Sequence, residues 1–112
     1  KGVIIVSAIG NEGPFQGTLN NPGDLIDVIG VGSLERQSMN VASFSSRGMT
    51  TWSLLKGNGI LKPDLLTYGT DILALANSNV DAAGAECTLS TGTSISSSII
   101  SGSIALALSQ IQ

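Results

Sequence analysis

The sequence contains no histidine. No imidazole base, proton shuttle or imidazole metal ligand can therefore come from these 112 residues. It has one cysteine, Cys87, which supports no internal disulfide. Charge is scarce: only 12% of the residues are Asp, Glu, Lys or Arg, about half the ordinary share. The net charge is −3 and no basic run is present, which argues against nucleic acid as a partner. No apolar run approaches the ~20 residues a bilayer-spanning helix needs. What is abundant is apolar and small: 42% of the residues are hydrophobic and the mean hydropathy is +0.34. So little polar surface predicts a piece taken from the interior of something larger. The ends agree with that expectation, because Lys1-Gly2-Val3 opens directly into a strand pattern and Gln112 follows no helix stop signal.

Val3-Ile4-Ile5-Val6 is a continuous apolar, β-branched run, as expected of a parallel strand covered on both faces. It continues through Ser7-Ala8-Ile9 and breaks at Gly10-Asn11-Glu12-Gly13-Pro14, where two glycines, an Asn and a Pro demand a turn. Residues 15–24 hold no period and read as a loop. Leu25 to Val31 reads as a second strand, and Leu34 to Asn40 as a polar surface turn. A short strand runs from Val41 into a turn at Gly48. The stretch from Met49 to Gly59 is irregular around Trp52. Further apolar runs lie at Leu61–Gly69 and Asp71–Ala76, and Asn77 to Glu86 reads as a loop tip.

From Ser94 to Gln112 the pattern is helical. Ile95, Ile99, Gly102 and Leu106 form one stripe, and Ile100, Ile104, Leu108 and Ile111 a neighbouring one. A helix apolar around most of its circumference is expected to be buried. Ser96, Ser97, Ser98, Ser101 and Ser103 within it are mediocre helix formers, so packing must hold it. Short apolar strands, loops at their carboxyl ends and one buried helix predict an α/β fold with a mostly parallel sheet.

Leu89-Ser90-Thr91-Gly92-Thr93-Ser94 delivers a serine on a glycine hinge to the first turn of that helix. Unpaired N–H groups and the helix dipole favour negative charge there, so an oxyanion formed by serine attack would find donors. The plain alternative is that Thr93 or Ser94 is a helix cap. Asn11 stands at the carboxyl end of the first strand, where open α/β sheets place ligands, and its carboxamide is a neutral donor. Its plain alternative is a turn residue chosen for its tolerance of left-handed backbone. Neither element decides the matter by itself.

Four segments in register do more. Ser7-Ala8-Ile9-Gly10-Asn11-Glu12-Gly13, Val41-Ala42-Ser43-Phe44-Ser45-Ser46-Arg47-Gly48, Leu61-Lys62-Pro63-Asp64 with Gly69, and Thr91-Gly92-Thr93-Ser94 together resemble the subtilisin-like serine protease family. Gly17-Thr18-Leu19-Asn20-Asn21-Pro22, the run through Trp52, and Cys87 fit a membrane-associated branch of it. The resemblance implies a partial subtilisin-like fold, with residues 1–112 as the carboxyl-terminal half of a peptidase catalytic domain and a central helix starting at the nucleophile. It implies that Ser94 is the nucleophile, that Asn11 and the Ser94 N–H form the oxyanion hole, and that Thr93 adjoins them. Ala8, Ile9 and Gly10 would form one wall of the pocket for the residue preceding the scissile bond; Leu19, Asn20, Asn21 and Pro22 would form the opposite wall. The Asp and His of the triad would lie upstream of Lys1, on a missing amino-terminal half, and the substrate would be a polypeptide. The intact protein would work in the secretory pathway, at endoplasmic reticulum or Golgi membranes, on membrane-bound precursors.

Three positions depart from the family pattern: Ser96 replaces its usual Ala, Ser98 its usual Pro, and Tyr68 the Pro before Gly69. The two serines motivate an alternative, a catalytically degenerate subtilase acting as a binding module. The resemblance alone raises calcium, with Asp24, Asp27 and Asp64 as candidate ligands. Three scattered carboxylates fall short of the 6–8 oxygens calcium takes, and solvated or capping roles are expected of them. A phosphate loop at Gly10–Gly17 is disfavoured because the G-x-G-x-x-G and G-x-x-x-x-G-K spacings are absent.

Overall fold

The computed structural model describes residues 2–50, 57, 59–76 and 87–111. Trp52 and the expected loop tip at 77–86 lie outside the described residues. Three parallel strands carry the site. β1 (Val6–Ala8) pairs with β2 (Ile29–Leu34), Val6 opposite Ile29, and β2 pairs with β5 (Leu65–Tyr68), Val31 opposite Leu65. Between them in sequence, β3 (Gly48–Met49) and β4 (Leu61–Lys62) form a short antiparallel pair. β6 (Ile72–Leu75) and β7 (Cys87–Ser90) form another, and α1 (Thr93–Ser109) follows at once.

β2 is the central strand of its sheet, and its four middle residues, Gly30 to Ser33, are buried. The expected first strand is shorter than its apolar run: Val3, Ile4 and Ile5 are exposed and only Val6–Ala8 pair. The second is displaced along the chain. Leu25 and Val28 close a turn, with the Val28 N–H donating to Leu25 O at 3.3 Å, and pairing begins at Ile29. Hydropathy marks both stretches as buried but cannot say where a partner strand begins.

Among the described residues the buried apolar side chains are few: Ile9, Val28, Val31 and Ala42. Around them lie buried hydroxyls, those of Ser33, Ser45, Ser46, Thr50, Thr93 and Ser96. A core so rich in hydroxyls must satisfy them locally, and most are. Ser45 Oγ accepts from the Ser33 N–H at 3.0 Å, and Ser46 Oγ donates to Glu12 at 3.0 Å. Ser33 Oγ alone has no partner among the described residues. An ion pair with one buried partner sits at the start of β2: Lys62 Nζ, on a side chain 1% exposed, donates to Oδ2 of the exposed Asp64 at 2.6 Å and to Val28 O at 2.7 Å.

Helix α1 packs on β1, β2 and β5. Of its residues only Thr93 and Ser96 are buried, while Leu106 is 67% exposed. The chain thus covers one face of the helix and leaves much of the expected apolar circumference open. An open apolar groove of about 460 Å³ runs between Ile4, Ile5 and Val6 on one side and Ile104, Ala105 and Leu108 on the other. No helix among the described residues is long and apolar enough to cross a membrane.

Candidate active site

The turn into α1 is built on Gly92, which caps the helix with φ 152° and ψ 160°, a conformation that side chains resist. Its N–H donates to Gly69 O at 2.8 Å. Gly69 is wedged so closely among Ser96 Oγ, Ser33 Oγ and Gly92 O that no Cβ fits there. Upstream, Thr91 Oγ1 accepts from the Asp71 N–H at 2.9 Å, which ties the turn to the start of β6. Ser96 Oγ, fully buried, lies 3.3 Å from the carbonyls of Thr67 and Tyr68 and fastens the first helical turn to β5.

Thr93 does not cap the helix, and neither does Ser94: no side chain bonds the first-turn amides in that way. The Thr93 N–H donates to Asn11 Oδ1 at 2.9 Å, and its hydroxyl lies 3.0 Å from the same oxygen. The hydroxyl also lies 3.2 Å from Gly10 O and 3.3 Å from Gly10 N. Because a backbone N–H can only meet an acceptor, this fixes Asn11 with its oxygen toward Thr93, leaving the Nδ2 donor to other partners. Asn11 is therefore more than a turn residue, being bonded to a position 82 residues away.

Ser94 is exposed, and its hydroxyl and N–H have no hydrogen-bond partner among the described residues. A Cβ on Gly92 would stand 3.3 Å from Ser94 Oγ and 3.8 Å from Asn11 Nδ2, so hydroxyl and carboxamide border the same space. Ser97 and Ser98 both turn their hydroxyls back onto Ser94 O, at 2.9 and 3.0 Å. The main chain of the candidate nucleophile is held from that side too.

The expected pocket walls meet only in part. The Asn20 N–H donates to Ile9 O at 2.9 Å, which brings Asn20 beside Ile9 and Gly10. Leu19 turns elsewhere and lines a cleft with Gly17, Asp24 and Met49. Asn21 is occupied by Asp24, its Nδ2 donating to Oδ1 at 3.2 Å, and Pro22 follows through a cis peptide. The carboxylates raised for calcium stay apart: Asp64 serves Lys62 and the Gly30 N–H, at 2.7 Å from the latter, while Asp24 serves Asn21. Among the described residues no group of three or more His, Cys, Asp or Glu could hold a metal ion.

Glu12 and Ser46 entered the sequence reading only as members of motifs, without a role. Glu12 stands next to Asn11, and its carboxylate accepts from Ser46 Oγ and from Asn20 Nδ2, each at 3.0 Å. The bond from Ser46 is the largest influence and outweighs the opposing effect of burial; with a lesser contribution from Asn20 it holds the Glu12 pKa below the ordinary value. A carboxylate beside the candidate donor was a visible signal; its partners, 8 and 34 residues away, were not.

The model of the subtilase family matches residues 1–112. The human membrane-bound transcription factor site-1 protease is 49% identical over 110 residues, covering 98% of this chain and 10% of that protein. Subtilisin-like protease SBT6.1 of Arabidopsis thaliana is 48% identical over 109 residues, covering 97% of this chain and 10% of the relative. This chain belongs to the subtilase family. Its structural likeness agrees: the prenylagaramide maturation protease PagA superposes with a TM-score of 0.68 at 30% identity, over 96% of this chain and 33% of that one. Subtilases are serine proteases, and the partial α/β fold with its parallel sheet and carboxyl-terminal helix is a portion of theirs. The chain spans about a tenth of the length of these two curated relatives.

Proposed function

We propose that this chain is the carboxyl-terminal half of a subtilase catalytic domain and that Ser94 is the nucleophile of a serine endopeptidase (EC 3.4.21). One observation carries the reading. Thr93 grips Asn11 by its oxygen, and the amide nitrogen borders the space in front of the unpartnered Ser94 hydroxyl. In the reaction Ser94 Oγ attacks a peptide carbonyl and gives its proton to a histidine, which an aspartate orients. Asn11 Nδ2 and the Ser94 N–H bind the oxyanion as it forms. The histidine must come from outside these 112 residues, which contain none. The missing half of the domain, carrying His and Asp, also covers the groove between β1 and α1. Thr93 positions Asn11, while Ala8, Gly10 and Asn20 line the pocket for the residue preceding the scissile bond. By likeness to site-1 protease, the intact protein processes membrane-bound or secretory precursors in the endoplasmic reticulum and Golgi.

A fluorophosphonate probe on the intact protein tests this. Labelling that disappears in Ser94→Ala supports the peptidase. Absence of labelling in a folded sample favours the second reading, a subtilase that binds without turnover. Ser96 and Ser98 motivate that second reading, since hydroxyls stand in the first helical turn where the family pattern has Ala and Pro.

A further inference from the structure

Three oxygens close the vacant side of Gly69. A Cβ there would collide with Ser96 Oγ and Ser33 Oγ and would stand 2.8 Å from Gly92 O. Gly92 and Ser96 belong to the start of α1, whereas Ser33 lies on β2, the central strand of the sheet. Ser33 and Ser96 are both fully buried. Ser33 Oγ is the one buried side-chain oxygen or nitrogen without a hydrogen-bond partner among the described residues. Such an atom costs stability unless its proton reaches an acceptor. The acceptors facing it across Gly69 are Ser96 Oγ and Gly92 O. Ser96 Oγ has one proton to give, with Thr67 O and Tyr68 O each 3.3 Å away, and keeps a lone pair for a donor. Whichever of the two oxygens takes the Ser33 proton, the bond ties β2 to the helix start. The helix start is also anchored to β5 and the residue after it on both sides of Ser94. Before Ser94, the Gly92 N–H donates to Gly69 O at 2.8 Å. After it, Ser96 Oγ reaches Thr67 O and Tyr68 O. The family pattern has Ala at 96, which cannot make the second anchor. Between the anchors, the hydroxyl and N–H of Ser94 have no partner among the described residues, so only the neighbouring chain fixes where they point.

We propose that Ser96, supported by Ser33, is a positioning residue for the reaction: its hydroxyl seats the first turn of α1 on β5 and so aims the Ser94 N–H and Oγ. This rests on the reading that Ser94 is the nucleophile. Ser96 is buried and touches neither substrate nor reacting atoms; it acts through the main chain of Ser94. A small shift of that main chain weakens the hold on the transition state more than the hold on the substrate, because the oxyanion donors engage fully only as the carbonyl oxygen gains charge. The substitution of hydroxyls for the family's Ala and Pro then sustains turnover instead of marking its loss. Ser98 contributes from the other side, its hydroxyl joining that of Ser97 on Ser94 O.

The test uses the intact protein. Ser96→Ala, which installs the residue usual in the family, lowers kcat about tenfold, the scale of one buried hydrogen bond, and leaves KM within about twofold. A peptide aldehyde of the substrate sequence reads the same geometry without turnover. Ser94 Oγ adds to its carbonyl carbon and the aldehyde oxygen takes the oxyanion's place, so its inhibition constant rises about tenfold in Ser96→Ala while KM holds. A residue that only stabilised the fold would lower the melting temperature and leave that ratio unchanged. Ser33→Ala slows turnover less, about threefold, and adds nothing in the Ser96→Ala background, because the two hydroxyls act on one path. An unchanged kcat in Ser96→Ala, a loss that appears in KM instead, or effects of the two substitutions that multiply independently overturns the inference. If fluorophosphonate fails to label Ser94, the peptidase reading falls, and hydrogen exchange still decides the seat of Ser96. The Ile95 and Ser96 amides, which donate to Gly92 O at 3.1 and 3.4 Å, exchange about tenfold faster in Ser96→Ala. Equal exchange rates in the two proteins refute the seat itself.

Discussion

At the scale of single residues the candidate site is a question of which atoms are already committed. Asn11 Oδ1 is occupied by Thr93, while Ser94 Oγ has no partner, and this division is what an oxyanion site requires. Asn11→Ala should lower kcat by about 10²–10³ with little change in KM in the intact enzyme; that magnitude belongs to the corresponding donor of subtilisin, a member of the same family. Thr93→Val removes one of the two hydrogen bonds to that oxygen and keeps the backbone one. Steady-state kinetics should show a smaller loss in kcat, about tenfold. Glu12 adds a pH signature. Its folded-state pKa lies below the ordinary 4.5, so folding favours the ionised form. Its contribution to stability is complete above about pH 4.5 and is lost as the pH falls through the depressed value. Denaturation curves of the unaltered protein and Glu12→Gln should therefore differ at neutral pH and converge in acid.

At the scale of elements, the site is made by joining three chain segments that are distant in sequence. β1 brings Asn11, the turn on Gly92 brings Ser94, and β5 supplies the carbonyls that seat Ser96. Their relative placement depends on β2, which pairs with both other strands. The Lys62–Asp64 pair secures the start of β2: Lys62 Nζ holds Val28 O, and Asp64 Oδ2 accepts from the Gly30 N–H. Asp64→Ala leaves an ammonium that is 1% exposed with the Val28 carbonyl but no counter-charge. Because the Asp64 side chain is 35% exposed, water partly replaces it, and the cost is about 1–2 kcal/mol, below that of a fully buried pair. Urea unfolding of the intact protein should show that loss, and fluorophosphonate labelling of Ser94 should slow with it because β2 no longer fixes the distance between β1 and α1.

At the scale of the whole molecule the chain exposes more than a closed domain does. Its accessible surface is 7477 Å², against about 5,800 Å² for a compact monomer of 11.4 kDa. Large apolar side chains stand open among the described residues: Leu75 is 87% exposed, Leu73 66% and Leu89 62% on one antiparallel pair, and Leu106 and Leu108 stand open on α1. Isolated residues 1–112 should bind an apolar dye such as ANS, sediment as associated species and show no Ser94-dependent peptidase activity. A monomeric, dye-silent or active sample would refute the proposal that the chain is half of a domain.

The sequence by itself determined the family, through four short motifs in register, and with it the identity of the candidate nucleophile. It also determined, through the absence of histidine, that a triad cannot close within this chain. These are properties of residue type and spacing, which survive without coordinates. The helix, the turn at Gly10–Pro14 and most strands were legible because apolar periodicity and glycine placement are local signals. Strand limits were not: Val3–Ile5 carry the same hydropathy as paired strand residues, and only the register against β2 excludes them. Nor could spacing say that Leu19 turns away from Gly10 while Asn20 turns toward it, since adjacent loop residues diverge according to backbone bonds such as that from Asn20 N to Ile9 O. The grip of Thr93 on Asn11, the polar cluster of Glu12, Ser46 and Asn20, and the seat of Ser96 on β5 were decided by tertiary structure alone. Each is a hydrogen bond between groups 8 to 82 residues apart, and a bond of that kind exists only once the strands have set its length.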